Sequence, residues 1–212
     1  MKVDTLIVKG LEAKNNPHKA VVPPIYLATT FVQEGLGEFG KFAYSRSANP
    51  TRNAFEEIFA KFEESKFAFA LASGMAATSA VFGLLKSGDK VILNSNVYGG
   101  TYRYANGLFD AYGIKFELAD DLNKITKLDD DVKMIFIETP SNPLLRVTDI
   151  ARLAKLAHEK GALVVVDNTF LTPYYQKPLK FGADIVVYSA TKYIGGHADV
   201  IAGIVTTNDE KI

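Results

Sequence analysis

Hydrophobic positions fall into two alternating patterns along the chain, and the alternation begins only after residue 50. Short, nearly continuous apolar runs at 67–72, 91–93, 114–118, 132–138, 162–167, 184–188 and 200–206 read as strands. Between them lie helical-period stretches at 51–65, 75–86, 101–112 and 148–160. The first places Phe55, Ile58, Phe59 and Phe62 on one face, and the last places Ile150, Leu153, Ala154 and Ala157 on one face before Gly161. Several strand runs are apolar throughout rather than alternating, as in parallel strands covered on both faces. The pattern predicts an α/β fold, a mainly parallel open sheet with helices on both faces. Residues 1–50 hold Pro17, Pro23, Pro24 and Pro50 and no long helical period, so they read as an extended N-terminal arm.

Composition removes classes more than it suggests one. The 212 residues suffice for a substantial core. Lys plus Arg and Asp plus Glu each number 24, so neither nucleic acid nor an anionic membrane is favoured as a partner. The chain has no cysteine, which excludes a disulfide framework and thiolate chemistry and fits a cytoplasmic setting. Met1 to Thr5 lacks the apolar core of a secretory signal, and no run approaches the ~18 residues of a spanning helix. His18, His158 and His197 are too scattered for a metal motif.

In such a sheet, ligands bind beyond the carboxyl ends of the strands. Four predicted ends carry reactive or ligating groups: Ser73-Gly74-Met75, Glu138 with Thr139 to Pro143, Asp167-Asn168-Thr169, and Ser189-Ala190-Thr191-Lys192. Lys192 beside two hydroxyls could form an imine with an aldehyde cofactor whose phosphate the hydroxyls hold; alone, it reads as a solvated surface charge. Asp167 could keep a pyridine nitrogen protonated, or could cap a helix or pair with a cation. Lysine imine plus aspartate is the protein's share of pyridoxal phosphate chemistry. Ser73-Gly74-Met75 offers free N–H groups at a helix start, suited to phosphate, or is an ordinary strand-to-helix turn. Asn142 could hydrogen-bond a phenolate oxygen or serve its Pro-rich turn. Tyr98, before Gly99-Gly100, could stack on an aromatic ring or be merely half-buried.

Gly35-Leu36-Gly37-Glu38-Phe39-Gly40 matches the dinucleotide-binding glycine pattern, but no helix follows it and no acidic residue ends a second strand. It reads as a Gly-rich loop.

Six segments stand in order: 44–51 (Tyr44, Arg46), 72–77 (Gly74, Met75), 98–101, 138–143, 166–170 and 189–197. Through them the chain resembles the cystathionine and methionine metabolism family of pyridoxal-phosphate enzymes, from about residue 5 to 207. The resemblance implies the fold type I large domain over 51–212. It makes Lys192 the imine lysine and proton shuttle and Asp167 the partner of the ring nitrogen. Gly74, Met75, Ser189 and Thr191 become the phosphate cradle. Tyr98 becomes the stacked ring, Asn142 the ring-oxygen partner and Thr169 a further cofactor contact. Tyr44 and Arg46 become a pair reaching the phosphate of a neighbouring subunit in a dimer of dimers.

It also implies β- or γ-elimination, or γ-replacement, on sulfur amino acids. The leading expectation is a C–S lyase acting on cystathionine or a related thioether amino acid. Cystathionine γ-synthase is the nearest rival, and a catalytically silent cofactor-binding or dimerisation module the rival of another class. Gly100 stands where methionine γ-lyases usually carry cysteine. Residues 197–203 look more like cystathionine lyases and synthases, although Ala198 replaces a common serine. Family members continue into a second domain that supplies an arginine for the substrate carboxylate; Arg103, Arg146 and Arg152 match no such motif, so the expectation is a fragment or one piece of a split enzyme.

Overall fold

The computed structural model describes residues 2–9 and 18–212; Met1 and residues 10–17, including Pro17 of the arm, lie outside them. Among the described residues one sheet of seven strands carries the chain, in spatial order β1-β7-β6-β5-β4-β2-β3. The strands are β1 (Phe67–Leu71), β2 (Lys90–Asn94), β3 (Lys115–Ala119), β4 (Val132–Glu138), β5 (Leu163–Asp167), β6 (Ile185–Ser189) and β7 (Gly203–Thr207). Pairing is parallel from β3 through β2, β4 and β5 to β6, and only β7 runs antiparallel to its neighbours β6 and β1. The mainly parallel α/β sheet expected from the sequence is therefore present.

The continuous apolar runs have the expected cause. On one face Ile135, Ile137, Val164, Val166, Val186 and Ile204 join a core that includes Phe59, Leu153 and Ala157. On the other, Met134, Phe136, Val165, Ile185 and Val187 pack with Ala77, Val81, Phe82 and Phe109. Both faces are covered, so alternate residues of β4, β5 and β6 all need apolar side chains. Edge strand β3 is mostly exposed and carries Lys115 and Glu117, charges that discourage edge pairing with another chain.

Helix starts are specified locally. Helix α2 (Pro50–Glu63) begins at Asn49, whose side chain accepts the Thr51 N–H, with Pro50 at the first position. Ser73 caps α3 (Gly74–Phe82) by accepting the Ala76 N–H, and Asp149 caps α5 (Ile150–His158) by accepting the Arg152 N–H. Helix α4 spans Gly99–Leu108, and a single-turn helix, α6, spans Thr172–Tyr175. The four predicted helices are all found, each shorter at its carboxyl end: 51–65 stops at Glu63, 75–86 at Phe82, 101–112 at Leu108 and 148–160 at His158.

The arm departs from the expectation in one respect. Its start is not extended: Val3–Lys9 forms helix α1, with Leu6 buried against the body and Asp4 Oδ1 accepting from Tyr174 Oη at 3.2 Å. About two turns offer too few periods to be legible in sequence, and packing rather than propensity sustains the helix. The rest of the described arm has no helix before Pro50 and folds back through a bridge between Thr30 and Tyr44. Gly35 to Glu38 closes a tight turn with Gly37 at φ 83°, so the glycine pattern there is a loop. No helix among the described residues is long and apolar enough to cross a membrane.

Candidate active site

The parallel pairing of β4, β5 and β6 brings Glu138, Asp167 and Ser189 to one rim, and β1 delivers Ser73 there. A cavity of about 320 Å³ opens at that rim. It is lined by Gly74, Met75, Tyr98, Asn142, Asp167, Thr169, Ser189, Thr191 and Lys192, all proposed from sequence, by Glu138, named there only as a strand end, and by Tyr188. Tyr44 and Arg46 do not line it. They form a pair of their own in the arm, the Arg46 guanidinium 4.9 Å from the centre of the Tyr44 ring.

Asp167 is held from one side. Its Oδ1 accepts from Thr169 Oγ1 at 2.6 Å and from Thr169 N at 3.0 Å. The Thr169 hydroxyl in turn accepts from Ser189 N at 2.8 Å, tying β5 to β6. Among the described residues nothing bonds Oδ2 and no cation pairs with the carboxylate, which lies deep in the protein yet keeps a face to the cavity. Burial pushes its pKa up, against the two Thr169 hydrogen bonds. A buried acid with one open oxygen and no counter-charge is suited to a protonated ring nitrogen.

The opposite end of the cavity suits an anion. With Ser73 Oγ taking the Ala76 N–H, helix geometry leaves the N–H groups of Gly74 and Met75 without intrahelical acceptors, at the positive end of α3. Two glycines make this approach possible. A Cβ at Gly74 would lie 2.7 Å from Ser189 Cβ, and one at Gly203 would lie 2.0 Å from the Ser73 carbonyl oxygen. Ser189 has its hydroxyl in the same cleft. Thr191 is partly committed elsewhere: its Oγ1 accepts from Ala202 N at 3.1 Å and donates to Ala202 O at 3.2 Å.

Tyr98 is 44% exposed, and its ring lies over Gly100, where a Cβ would stand 2.4 Å from Tyr98 Cε1. Lys192 occupies the turn after β6, closed by Gly195 N to Ala190 O at 2.7 Å and Gly196 N to Lys192 O at 2.9 Å. Arg146 and Arg152 are spent on backbone carbonyls of Asp120, Leu122 and Ile125, which accounts for two of the arginines without a ligand role.

Two buried acids carry no specific role in the sequence reading, Glu138 being named there only as a strand end. Glu138, 6% exposed, takes Tyr98 N at 2.7 Å on Oε2 and Asn142 N at 2.6 Å on Oε1. Burial and then the neighbouring Asp167 push it up to about 7. Glu63, at the end of α2 and 1% exposed, accepts from the Tyr188 hydroxyl behind the cavity. The signal for Glu63 was its place four residues after Phe59 on the buried face; for Glu138 it was an acid ending the strand beside that of Asp167.

Comparison with known proteins agrees with this geometry. The chain is 45% identical over 217 residues to a cystathionine beta-lyase of Lactococcus lactis subsp. cremoris, covering 99% of the chain and 56% of the relative. It is 47% identical over 208 residues to the cystathionine gamma-lyase of Homo sapiens, covering 96% and 51%. The crystal structure of a cystathionine gamma synthase from Xanthomonas oryzae pv. oryzae in complex with cystathionine superposes with TM-score 0.94 at 39% identity, covering all of this chain and 56% of that one. The chain thus spans about half the length of the relatives it matches. With residues 4–212 matched by the family description, the chain belongs to the Cys/Met metabolism PLP-dependent enzymes.

Proposed function

We propose that this chain binds pyridoxal phosphate at the β4–β5–β6 rim and serves a C–S lyase reaction on cystathionine or a related thioether amino acid. The observation that carries the reading is one cavity faced by Lys192, by the open oxygen of Asp167 and by the N–H groups that begin α3. Pyridoxal phosphate in this site supplies an electron sink for the pair left at a substrate Cα. Asp167 Oδ2 holds the proton on the ring nitrogen while Thr169 fixes Oδ1. Gly74 N, Met75 N and Ser189 Oγ would hold the phosphate, and the Tyr98 ring would stack on the cofactor and exclude water from it. Lys192 Nζ takes the Cα proton and returns it to carbon or to the departing group.

Residues 51–212 act on this reading as the cofactor-binding large domain, and the arm, with Tyr44 and Arg46 outside the cavity of their own chain, reaches the phosphate of a partner copy in a dimer of dimers. The chain acts in the cytoplasm. γ-Replacement is the second reading, since the chain superposes on a gamma synthase about as closely as on a gamma-lyase.

Adding pyridoxal phosphate to the purified chain should produce a visible absorbance band that Lys192→Ala abolishes. Keto-acid release from cystathionine then separates a lyase from a silent module, and incorporation of cysteine into product from an O-acylhomoserine separates the synthase. A wild-type chain that folds and shows no band overturns the reading.

A further inference from the structure

Resting on the cofactor reading above, we infer that Glu138 is a positioning residue of this site: its two carboxylate oxygens clamp the backbone at Tyr98 and at Asn142, and so set the ring that stacks on the cofactor and the amide that meets its oxygen. The two loops come from different parts of the chain and converge on one side chain. Oε2 accepts from Tyr98 N at 2.7 Å and Oε1 from Asn142 N at 2.6 Å. The clamp is itself fixed at its base, because Asn94 Oδ1 accepts from Glu138 N at 2.8 Å while Asn94 Nδ2 donates to Glu138 O at 3.2 Å. Among the described residues neither the Tyr98 hydroxyl nor the Asn142 side-chain amide has a hydrogen bond of its own. Their placement therefore depends on where the backbone is held.

The residue type is what makes this more than a loop contact. The two N–H donors arrive on different oxygens of one side chain, and only a carboxylate offers two separate acceptor atoms; an amide would set its NH2 against one of them. A neutral group would also avoid placing a second acid beside Asp167, one strand away in register. Burial and Asp167 raise Glu138, and the two backbone donors oppose them. An acid kept here in spite of that repulsion points to a need for both acceptors. The titratable groups around it are Asp167 at the end of β5, the Tyr98 phenol at the head of α4, Tyr188 on β6 and Lys192 across the cavity.

The test is amide hydrogen exchange at Tyr98 and Asn142 in the cofactor-free chain, with cofactor affinity measured by absorbance titration. In Glu138→Gln one of the two amides should exchange about tenfold faster or more, and pyridoxal phosphate should bind about tenfold more weakly, as for a lost charge-assisted acceptor, with cooperative melting retained. Glu138→Asp, one methylene shorter, should fail to span both loops and not rescue. Should either variant fail to fold, the wild type decides: lowering the pH from about 8 to about 5.5 protonates one oxygen, and after correction for chemical exchange one amide should lose protection. Unchanged exchange at both amides in Glu138→Gln, or in the wild type across that pH range, overturns the clamp. Absence of cofactor binding by the wild type overturns the functional reading instead.

Discussion

Replacing Glu63 by Gln should stabilise the cofactor-free protein at alkaline pH and leave it almost unchanged at acid pH. Glu63 is 1% exposed, its Oε1 has no hydrogen-bond partner, and its pKa is raised from 4.5 to about 7, by burial first, opposed by the Tyr188 hydroxyl and Lys177. A carboxyl raised in the folded state binds its proton more tightly folded than unfolded. Stability therefore falls as pH rises from the unfolded value through the folded one, and the full penalty is present above it. At about 1.4 kcal/mol per pKa unit, the shift from 4.5 to about 7 amounts to about 3 kcal/mol, lost between those two pH values. Gln keeps the shape and one acceptor for Tyr188 but never ionises. At pH near 5 the two proteins should differ by less than about 1 kcal/mol, and at pH near 8 the variant should lead by about 3 kcal/mol, roughly 6–12 °C in Tm. Glu138 and Asp167 carry raised values of the same sign and Glu64 a lowered one of opposite sign, yet all are common to both proteins and cancel in the difference. The assay is thermal melting by far-UV circular dichroism at several pH values between those limits. Parallel curves, with a difference that does not change with pH, would refute the claim that Glu63 is buried as a titrating acid.

Other outcomes follow from the same geometry. Asp167→Asn should raise the Tm of the cofactor-free protein on the alkaline side, because burial disfavours the charged carboxylate and no cation offsets it, while weakening pyridoxal phosphate binding measured by absorbance titration. Gly203→Ala should cost about 3 kcal/mol or more in urea unfolding, since the new Cβ meets the rigid Ser73 carbonyl at 2.0 Å. Gly100→Ala should be milder for stability, because the obstruction is the movable Tyr98 ring; it should weaken the cofactor by a few-fold to about tenfold through lost stacking. Ser73→Ala should lower stability by about 1 kcal/mol through loss of the α3 cap, read by the same unfolding assay.

What was legible in the sequence was whatever burial on two faces imposes on short stretches. The apolar runs of β4, β5 and β6 could be read because both sheet faces are covered, and the helix starts because Asn49, Ser73 and Asp149 satisfy orphan N–H groups locally. The candidate site followed from these, since parallel strands must present their carboxyl ends together, which is why Asp167, Ser189 and Lys192 could be joined before any distance was known. Helix α1 could not be read, because Leu6 gains its burial from distant residues. The assignment of Thr191 to a phosphate shows a different gap: sequence placed the residue, but only the structure shows its hydroxyl already bonded to Ala202.

The acids Glu63 and Glu138 expose the deeper reason. A polar residue is read as solvated because burying an unpaired charge is costly, and on a helix or at a strand end that expectation is ordinarily sound. Both acids break it for partners that lie far away in sequence: Tyr188 for Glu63, Tyr98 for Glu138. No periodicity encodes such pairs. Their chemistry nonetheless singles them out once the fold is known, because local rules and global structure disagree at these positions, and disagreement of that kind concentrates where a protein does its work. Both acids border the cavity, Glu138 from its wall and Glu63 from behind Tyr188. The two buried acids thus lie next to the residues whose roles were legible, and the part of this chain that sequence rules describe worst is the support that holds Tyr98, Asn142 and the Tyr188-to-Lys192 segment in place.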